Sequence, residues 1–295
     1  MSFSCVGSRD ISRLAKSQGI LHFWRPGGLG DVLMCTPVLR EFKSLNPSCL
    51  VYFYTEYRDL VQGLPYIDSV HPTSRRPSLS FFIGYEHGIP CGEHLARVIG
   101  QSIGIRITDV RPDCSVSKEL VVHFKELWKD MPHPHILFQR QASGWTPNKK
   151  WPEEYWRELL RSMSNTSTII DIGTYTSETT QGELHNYIDL RGRTNLQEVV
   201  ACIAAADILV APDSGPIHIA AAVGTPAVII MGGYILPVNT EYNGNLTLFT
   251  PIHCAPCWLR TPCPIDRKCL KMISPTVVEQ AIVNIWSKRA ASVSQ

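Results

Sequence analysis

A short run of polar and small residues stands between a strand pattern and a helix pattern late in the chain. Residues 207–210 (DILV) are mostly apolar and β-branched, which predicts a buried strand of a parallel sheet. Asp213, Ser214 and Gly215 follow, and an Ala- and Ile-rich segment then ends before Gly224, as a helix does. The three residues should therefore lie on a turn from a strand into a helix, where ligands of open α/β folds bind.

The composition of this turn suits a phosphate site. Small residues let a ligand approach the backbone, while the first N–H groups of the helix and its dipole favour an anion. Asp213 is unexpected beside an anion unless it contacts another group, such as a sugar hydroxyl. On spacing alone, the alternative that Asp213 or Ser214 only caps the helix stays open.

A second glycine-containing turn lies near the start of the chain. Residues 25–31 (RPGGLGD), with Gly28 and Gly30, stand between a strand pattern and a helix pattern. This order opens a nucleotide-binding βαβ unit, although Leu33 stands where the third glycine of the dinucleotide fingerprint would be. Asp31 ends the turn at a position where it can cap the following helix.

Four of the ten cysteines fall within one short segment. They are Cys254, Cys257, Cys263 and Cys269. A Cys-x-x-Cys pair followed by two further cysteines in a turn-rich loop suits a tetrathiolate zinc or iron site, which would be structural. Two disulfides, which are unusual in the cytosol, and free thiols on a packed loop are the alternatives.

The composition predicts a globular protein with a sizeable core. Hydrophobic residues make up 44% and charged residues 18% of the 295 residues, and the formal net charge is +2. Bulk electrostatics therefore give no nucleic-acid signal. No apolar run reaches the length of a membrane span, and the first 19 residues lack the apolar core of a signal peptide, so we expect a cytoplasmic protein.

Strand and helix patterns alternate in two halves of the chain. Residues 131–135 (MPHPH) form the best linker, because prolines two residues apart break either regular structure. We interpret His133 and His135 as linker residues in preference to metal ligands. The pattern predicts two Rossmann-like domains facing a cleft. The expected parts are residues 1–132, residues 133–274 and a last helix within 275–295.

Five segments occur together and in a characteristic order. They are residues 25–31 (RPGGLGD), 149–156 (KKWPEEYW), 189–196 (DLRGRTNL), 213–220 (DSGPIHIA) and the four-cysteine segment from Cys254. In these segments, and from about Leu21 to Ile285, the chain resembles glycosyltransferase family 9. This family comprises the ADP-heptose-dependent heptosyltransferases of bacterial surface polysaccharide synthesis and their relatives. The motifs are specific for the family and much less so for the sugar or the acceptor.

The resemblance implies the GT-B architecture. The first domain would hold mostly the acceptor and the second mostly the sugar nucleotide, and the helix at residues 275–287 would cross back to the first domain. The chain is short for the family, chiefly in its first half, so the usual lipopolysaccharide core acceptor is not implied. Residues 75–82 (RRPSLSFF) are either an acceptor or membrane-surface loop or an edge strand.

The resemblance also implies roles for particular residues. Asp31 would be the general base, Lys149 would meet the donor phosphates, and the turn at 213–215 would hold the donor sugar and pyrophosphate with His218 nearby. Lys150 is one residue from Lys149 and could take its role.

Another segment should line the nucleotide pocket. Gly173 and Thr174 follow a strand pattern, and Glu178 is a further candidate for contact with the ribose.

These residue types suit an inverting transfer without a catalytic cofactor. One carboxylate takes the proton of the acceptor hydroxyl, and a cation with a helix N-terminus stabilises the departing diphosphate. No Asp-x-Asp metal motif occurs in the chain. We therefore expect an enzyme that moves a sugar, heptose foremost, from a donor such as ADP-heptose to a hydroxyl of a glycan, a lipid-linked glycan or another acceptor.

Two other classes of function stay open. A catalytically silent sugar-nucleotide-binding protein would have lost its base or phosphate lysine, yet Asp31 and Lys149 are both present. A nicotinamide-dependent oxidoreductase is disfavoured by the missing third glycine, and near Thr55 only Glu56 supplies an acidic residue after the second strand.

Overall fold

The chain is built of two α/β units with parallel sheets. The computed structural model describes residues 11, 15, 19–89, 92–142, 145–174 and 184–293. The first unit takes its described residues from 1–115 and 238–240, and the second takes them from 116–237 and 241–295. In the described part of the chain no helix is long and apolar enough to cross a membrane.

The first unit has a four-stranded sheet. Its strands are β1 (Ile20–Trp24), β2 (Leu50–Tyr54), β3 (Ser69–His71) and β4 (Phe81–Phe82). Its helices are α1 (Leu29–Leu45), α2 (Arg58–Val61) and α3 (Leu95–Ser102). The strand order is β3-β2-β1-β4, and every neighbouring pair is parallel. The strand order reverses between β1 and β4, so a ligand of this unit is expected to bind outside the carboxyl ends of these two strands.

The second unit has the six-stranded Rossmann order. Its strands are β5 (His135–Gln139), β6 (Thr168–Ile172), β7 (Tyr187–Asp189), β8 (Ile208–Pro212), β9 (Ala227–Met231) and β10 (Leu246–Phe249). The order β10-β9-β8-β5-β6-β7 is the 3-2-1-4-5-6 order of dinucleotide-binding folds read from the other edge. Its switch point lies between β5 and β8, which pair in parallel.

Helices cover both faces of the second sheet. They are α4 (Lys118–Trp128), α5 (Glu153–Met163), α6 (Leu196–Ala205), α7 (Gly215–Val223), α8 (Lys268–Lys271) and α9 (Pro275–Val293). The central strands are buried at every position, as expected for apolar strands covered on both faces. Trp151 and Trp156 pack edge to face in the core beneath α5, with ring centroids 4.8 Å apart.

The division by contacts differs from the expected parts at 132/133. Helix α4 packs against α6, so residues 116–132 group with the second unit, and the 131–135 segment leads directly into β5. Helix α9 packs on α5 and on the sheet of the second unit. Its expected crossing to the first domain stays a prediction.

Candidate functional site

The turn between β8 and α7 lies at the switch point of the second unit. Ser214 occupies the N-cap position of α7, but its side chain makes no capping hydrogen bond. Its hydroxyl instead lies 3.1 Å from Gln139 Oε1, at the end of β5, and 3.0 Å from the carbonyl oxygen of Pro212. The Ser214 hydroxyl therefore joins the carboxyl ends of the two strands that flank the crevice, and Gly215 begins the helix.

Lys149 lies beside this turn. Its ammonium nitrogen is 2.6 Å from Asp213 Oδ2 and 4.9 Å from the centre of the Tyr234 ring. The Asp213 side chain is 6% exposed, whereas that of Lys149 is 20% exposed. The structure thus holds a partly exposed cation at the N-terminus of α7, where cation and helix dipole would favour the same anion. Asp213 contacts the lysine, which accounts for an acidic residue at this position.

Backbone groups of a distant segment support the turn that carries Lys149. Thr146 caps the short helix Pro147–Lys149, accepting the N–H of Asn148 at 3.2 Å, and its hydroxyl donates to the carbonyl of Leu259. Asn148 donates to the same carbonyl and accepts the N–H of Cys263 at 3.0 Å. The position of Lys149 therefore depends on the four-cysteine segment, a connection that sequence reasoning missed.

His218 is buried one turn into α7. Its Nδ1 lies 2.6 Å from the hydroxyl of Tyr242. Burial, and then the charge of Asp213, raise the pKa of Tyr242, so this hydroxyl keeps its proton and can donate to His218. His218 is only 4% exposed, so its predicted contact with the donor remains a prediction.

Gly173 and Thr174 follow β6 on the same edge of the sheet. Gly173 has a φ of 124°, which an L side chain rarely adopts, and Thr174 donates to Gln141 Oε1 at 2.9 Å. Glu178 lies outside the described residues. Beneath this edge Arg140 bonds the buried Asp171 at 2.9 Å. Burial raises the pKa of Asp171, and Arg140 and Arg191 oppose that rise. Arg140 is also paired with Glu153, so its charge is already committed within the protein.

The four cysteines line one cavity of about 130 Å³ together with Gly233 and Tyr234. All four are free thiols, so the two-disulfide alternative is not the one observed. The N–H of Gly233 donates to Cys269 Sγ at 3.2 Å, and burial, followed by the other three cysteines, raises the pKa of Cys257. Within the described residues, no three of these sulfurs lie within 4.8 Å of one another. The donor set fits a thiophilic ion, but the sulfurs must draw together to bind it.

Asp31 lies at the switch point of the first unit. Its Oδ2 accepts the N–H of Gly28 at 2.8 Å, which caps α1, so the helix-cap alternative is observed. Its Oδ1 accepts the hydroxyl of Tyr85 at 2.7 Å and pairs with Arg25 at 3.2 Å. The Asp31 side chain is still 20% exposed. Capping and an exposed carboxylate edge therefore coexist in the same residue.

Arg25 is a buried residue that sequence reasoning did not select. Its guanidinium is 2% exposed, lies 2.8 Å from Glu86 and packs over the Phe82 and Tyr85 rings. Burial, and then the charge of Asp31, raise the pKa of Tyr85, which keeps its proton for Asp31. Phe82 ends β4, and Tyr85 and Glu86 follow it. A basic residue directly after β1 was the signal that the sequence offered.

Gly27 is the residue of this turn whose backbone conformation requires glycine. Its φ is 117°, and a Cβ there would lie 2.9 Å from Asp31 Oδ2. Gly28 is the N-cap of α1 with a φ of −77°, and Gly30 lies inside the helix. The predicted glycines thus lie at the turn, but the strained backbone position is one residue earlier.

Two solved glycosyltransferases share this architecture. A family 9 glycosyl transferase from Veillonella parvula superposes with a TM-score of 0.72 at 16% identity, covering 91% of this chain and 97% of that chain. The iron-containing dodecameric glycosyltransferase TibC from enterotoxigenic E. coli superposes with a TM-score of 0.69 at 22% identity, covering 91% of this chain and 76% of that chain. The fold is therefore that of the GT-B class, with two Rossmann-like units as expected.

The chain belongs to glycosyltransferase family 9 (heptosyltransferase), whose family model matches residues 82–257. Lipopolysaccharide heptosyltransferase 1 of Salmonella typhimurium is 27% identical over 169 residues, which cover 54% of this chain and 51% of that protein. The chain thus spans about half the length of the curated relatives it matches. The predicted family is confirmed.

Proposed function

We propose that this protein transfers heptose from ADP-heptose to a hydroxyl group, with inversion and without a catalytic metal. The observation that carries the proposal is the 2.6 Å pair of Lys149 and Asp213 at the N-terminus of α7, at the switch point of a Rossmann sheet. The names of the family and its relatives support heptose as the sugar, and TibC has been solved with ADP-D-β-D-heptose.

In the proposed reaction the two units supply different groups. Asp31 takes the proton of the acceptor hydroxyl while that oxygen forms a bond to the anomeric carbon. The bond from this carbon to the diphosphate oxygen breaks, and ADP leaves with its new negative charge. Lys149 and the first N–H groups of α7 stabilise that charge, and Asp213 gives up the lysine to the phosphate.

A second candidate is a sugar-nucleotide-binding protein that performs no transfer. The observation that favours it is the hydrogen bonding of Asp31. Its oxygens accept hydrogen bonds from the N–H of Gly28 and the hydroxyl of Tyr85, and one of them pairs with Arg25. Both carboxylate oxygens therefore already have donors within the protein, as in a residue whose role is structural. The transferase remains the leading proposal because these donors also orient the exposed edge of the carboxylate.

A donor screen tests the proposal. Thermal shift with ADP-heptose and with GDP-, UDP- and dTDP-sugars should single out ADP-heptose, because a ligand that binds only the folded state raises the melting temperature. Acceptor-dependent ADP release with the same donor distinguishes transfer from silent binding. A shift with ADP-heptose but no ADP release across glycan and lipid-linked acceptors would favour the second candidate.

The acceptor and the site of action belong to the same proposal. We propose a glycan or lipid-linked glycan acceptor used in the cytoplasm, with peripheral membrane contact near residues 75–82. In that segment Phe81–Phe82 forms the edge strand β4, so the edge-strand alternative accounts for its aromatic end. Arg76 lies over the Trp24 ring at 4.1 Å. The membrane contact that we propose would therefore be made by the basic start of the segment, Arg75 and Arg76.

We also propose a structural zinc or iron ion in the four-cysteine segment. The cavity that the thiols share and the iron of TibC support it. The ion would hold Cys254, Cys257, Cys263 and Cys269 as thiolates and thereby fix the loop that supports Asn148. Elemental analysis of protein purified without added metal should give about one zinc or iron per chain. Metal-free folded protein with four titratable thiols there would contradict this.

A further inference from the structure

Two histidines and a carboxylate lie close together at the amino-terminal ends of β5 and β8, whereas the donor turn lies at the carboxyl ends. His135 is the first residue of β5, and Asp207 directly precedes β8, the neighbouring strand. Donor atoms of His133, His135 and Asp207 all lie within 4.8 Å of one another. Five-residue strands place this cluster about 16 Å from the turn at 213–215, so the transfer chemistry does not use it.

The cluster is held in place from several sides. Asp207 Oδ2 accepts the backbone N–H of His135 at 2.8 Å and lies 2.6 Å from His133 Nδ1. The two imidazole rings stack with centroids 3.9 Å apart, and Trp286 of α9 lies parallel to His133 at 6.1 Å. Arg289 donates to the carbonyl of Asp207 at 3.0 Å. The backbone of this segment is therefore held in place, whereas the half-exposed His133 side chain can still rotate.

The buried histidine has the outer contact that metal-binding histidines usually have. Nε2 of His135 lies 3.3 Å from the carbonyl oxygen of Met131. A ring N–H donated to a backbone carbonyl selects the tautomer and leaves the other ring nitrogen with a lone pair. His135 is 4% exposed, and this contact orients a ring that water scarcely reaches.

We propose that His133, His135 and Asp207 bind one divalent transition-metal ion of the zinc class. Two imidazoles and one carboxylate suit Zn²⁺ and its borderline neighbours, whereas Mg²⁺ and Ca²⁺ prefer oxygen ligands alone. His133 is 52% exposed, which provides an entry path and room for water as a fourth ligand.

The ion takes the place of the proton that His133 Nδ1 and Asp207 Oδ2 share. Ligand atoms around a tetrahedral zinc ion lie about 3.3 Å apart, given bonds of about 2.0 Å. The present 2.6 Å separation must therefore widen by less than 1 Å, which a rotation of the half-exposed His133 supplies. The bound ion ties the segment before β5 to the start of β8, and so strengthens the edge on which α9 packs.

Cobalt titration of the full chain, with no polyhistidine tag, tests the site. Co²⁺ at the cysteine segment gives a sulfur-to-metal charge-transfer band, whereas Co²⁺ bound by nitrogen and oxygen ligands gives only d–d bands. We expect one equivalent of Co²⁺ that shows only d–d bands, and we expect this bound Co²⁺ to be lost in His133→Ala and in Asp207→Asn. It should be retained in His123→Ala, which removes an exposed histidine from α4 of the same unit.

A measurement on the unaltered protein covers the case in which a variant fails to fold. Zn²⁺ should protect His133 from acylation by diethyl pyrocarbonate, read by mass spectrometry, and should leave His123 reactive. Equal acylation of His133 with and without Zn²⁺, or the same cobalt stoichiometry in all the variants, would overturn the proposal. The hydrogen-bonded His133–Asp207 pair would then be the whole function of the cluster.

Discussion

At the scale of single residues, Asp31 combines two roles in one carboxylate. Oδ2 caps α1 through Gly28, whereas Oδ1 accepts Tyr85 and pairs with the buried Arg25. The donors are held by the fold before any substrate arrives, which is the condition for a carboxylate to act without reorganisation. The same donors engage both carboxylate oxygens, which is also the arrangement of a residue that only caps a helix. Kinetics can separate these two roles.

We expect Asp31→Asn to lower the transfer rate by about a hundredfold or more, the usual contribution of a general base. Binding of ADP should change little, because in the proposed mechanism Asp31 contacts the acceptor hydroxyl and not the donor. Asn keeps an oxygen for the N–H of Gly28, so a melting temperature close to that of the unaltered protein is the control. Transfer within a fewfold of normal would remove Asp31 from the mechanism.

Lys149 and Lys150 form a natural matched pair. Lys149 contacts Asp213 and Tyr234, whereas Lys150 is exposed. Lys149→Ala should weaken ADP binding measured by calorimetry by roughly tenfold or more, since charge-assisted contacts contribute on the order of one to a few kcal/mol. Because the N-terminus of α7 shares the charge, binding should not vanish. Lys150→Ala should bind normally; the reverse result would transfer the role to Lys150.

At the scale of elements, a strand, a turn and a helix are repeated in the two units with different chemistry. After β1 the turn holds an acid within a basic and aromatic environment, and after β8 it holds an acid paired with a lysine from the segment that follows β5. Both turns lie where the strand order reverses, because β4 returns to the free side of β1 in the first unit and β8 returns to the free side of β5 in the second. Loops outside these strand ends therefore supply the partners of each turn.

The turn before α1 provides a test of this local design. Gly27→Ala should lower the free energy of unfolding by about 1–3 kcal/mol, the cost of a strained left-handed residue. The added Cβ would also press on Asp31 Oδ2, 2.9 Å away. Gly92→Ala is the control, because nothing lies within 4 Å of its Cβ and its φ is ordinary. Equal urea midpoints for the two variants would contradict the strain argument.

At the scale of the whole molecule, the donor and base assignments fall on different units. Lys149 and α7 belong to the second unit, and Asp31 and α1 belong to the first. A bound ligand stabilises chiefly the part of the structure that it contacts. Amide hydrogen exchange, which depends on local unfolding, shows this stabilisation for each residue.

Hydrogen exchange with and without ADP should therefore show a divided response. We expect slower exchange at the start of α7 and in Pro147–Lys149, and little change in α1. Lys149→Ala at the same ADP concentration should reduce the protection and serves as the control. Protection centred on α1 instead would move the donor to the first unit.

The alternation of elements and the family were determined by the sequence alone. Strands such as β8 and β9 are apolar at nearly every position, and glycine and polar turns follow β1 and β8, so local pattern carried the α/β interpretation. The Lys149 and 213–215 segments could be selected because their motifs are contiguous. Their pairing at 2.6 Å could not be derived, because they stand far apart in the chain.

Only the tertiary structure decided which distant residues share a site. The Arg25 and Tyr85 contacts of Asp31 depend on β4 returning beside β1, and the grouping of α4 with the second unit depends on its packing against α6. The sequence indicated that His133 and His135 are linker residues, because Asp207, which lies near them, directly precedes β8 and is remote in the chain. Local sequence encodes the periodicity of an element, whereas parallel strand order, which brings remote turns together, arises from burial of the sheet as a whole.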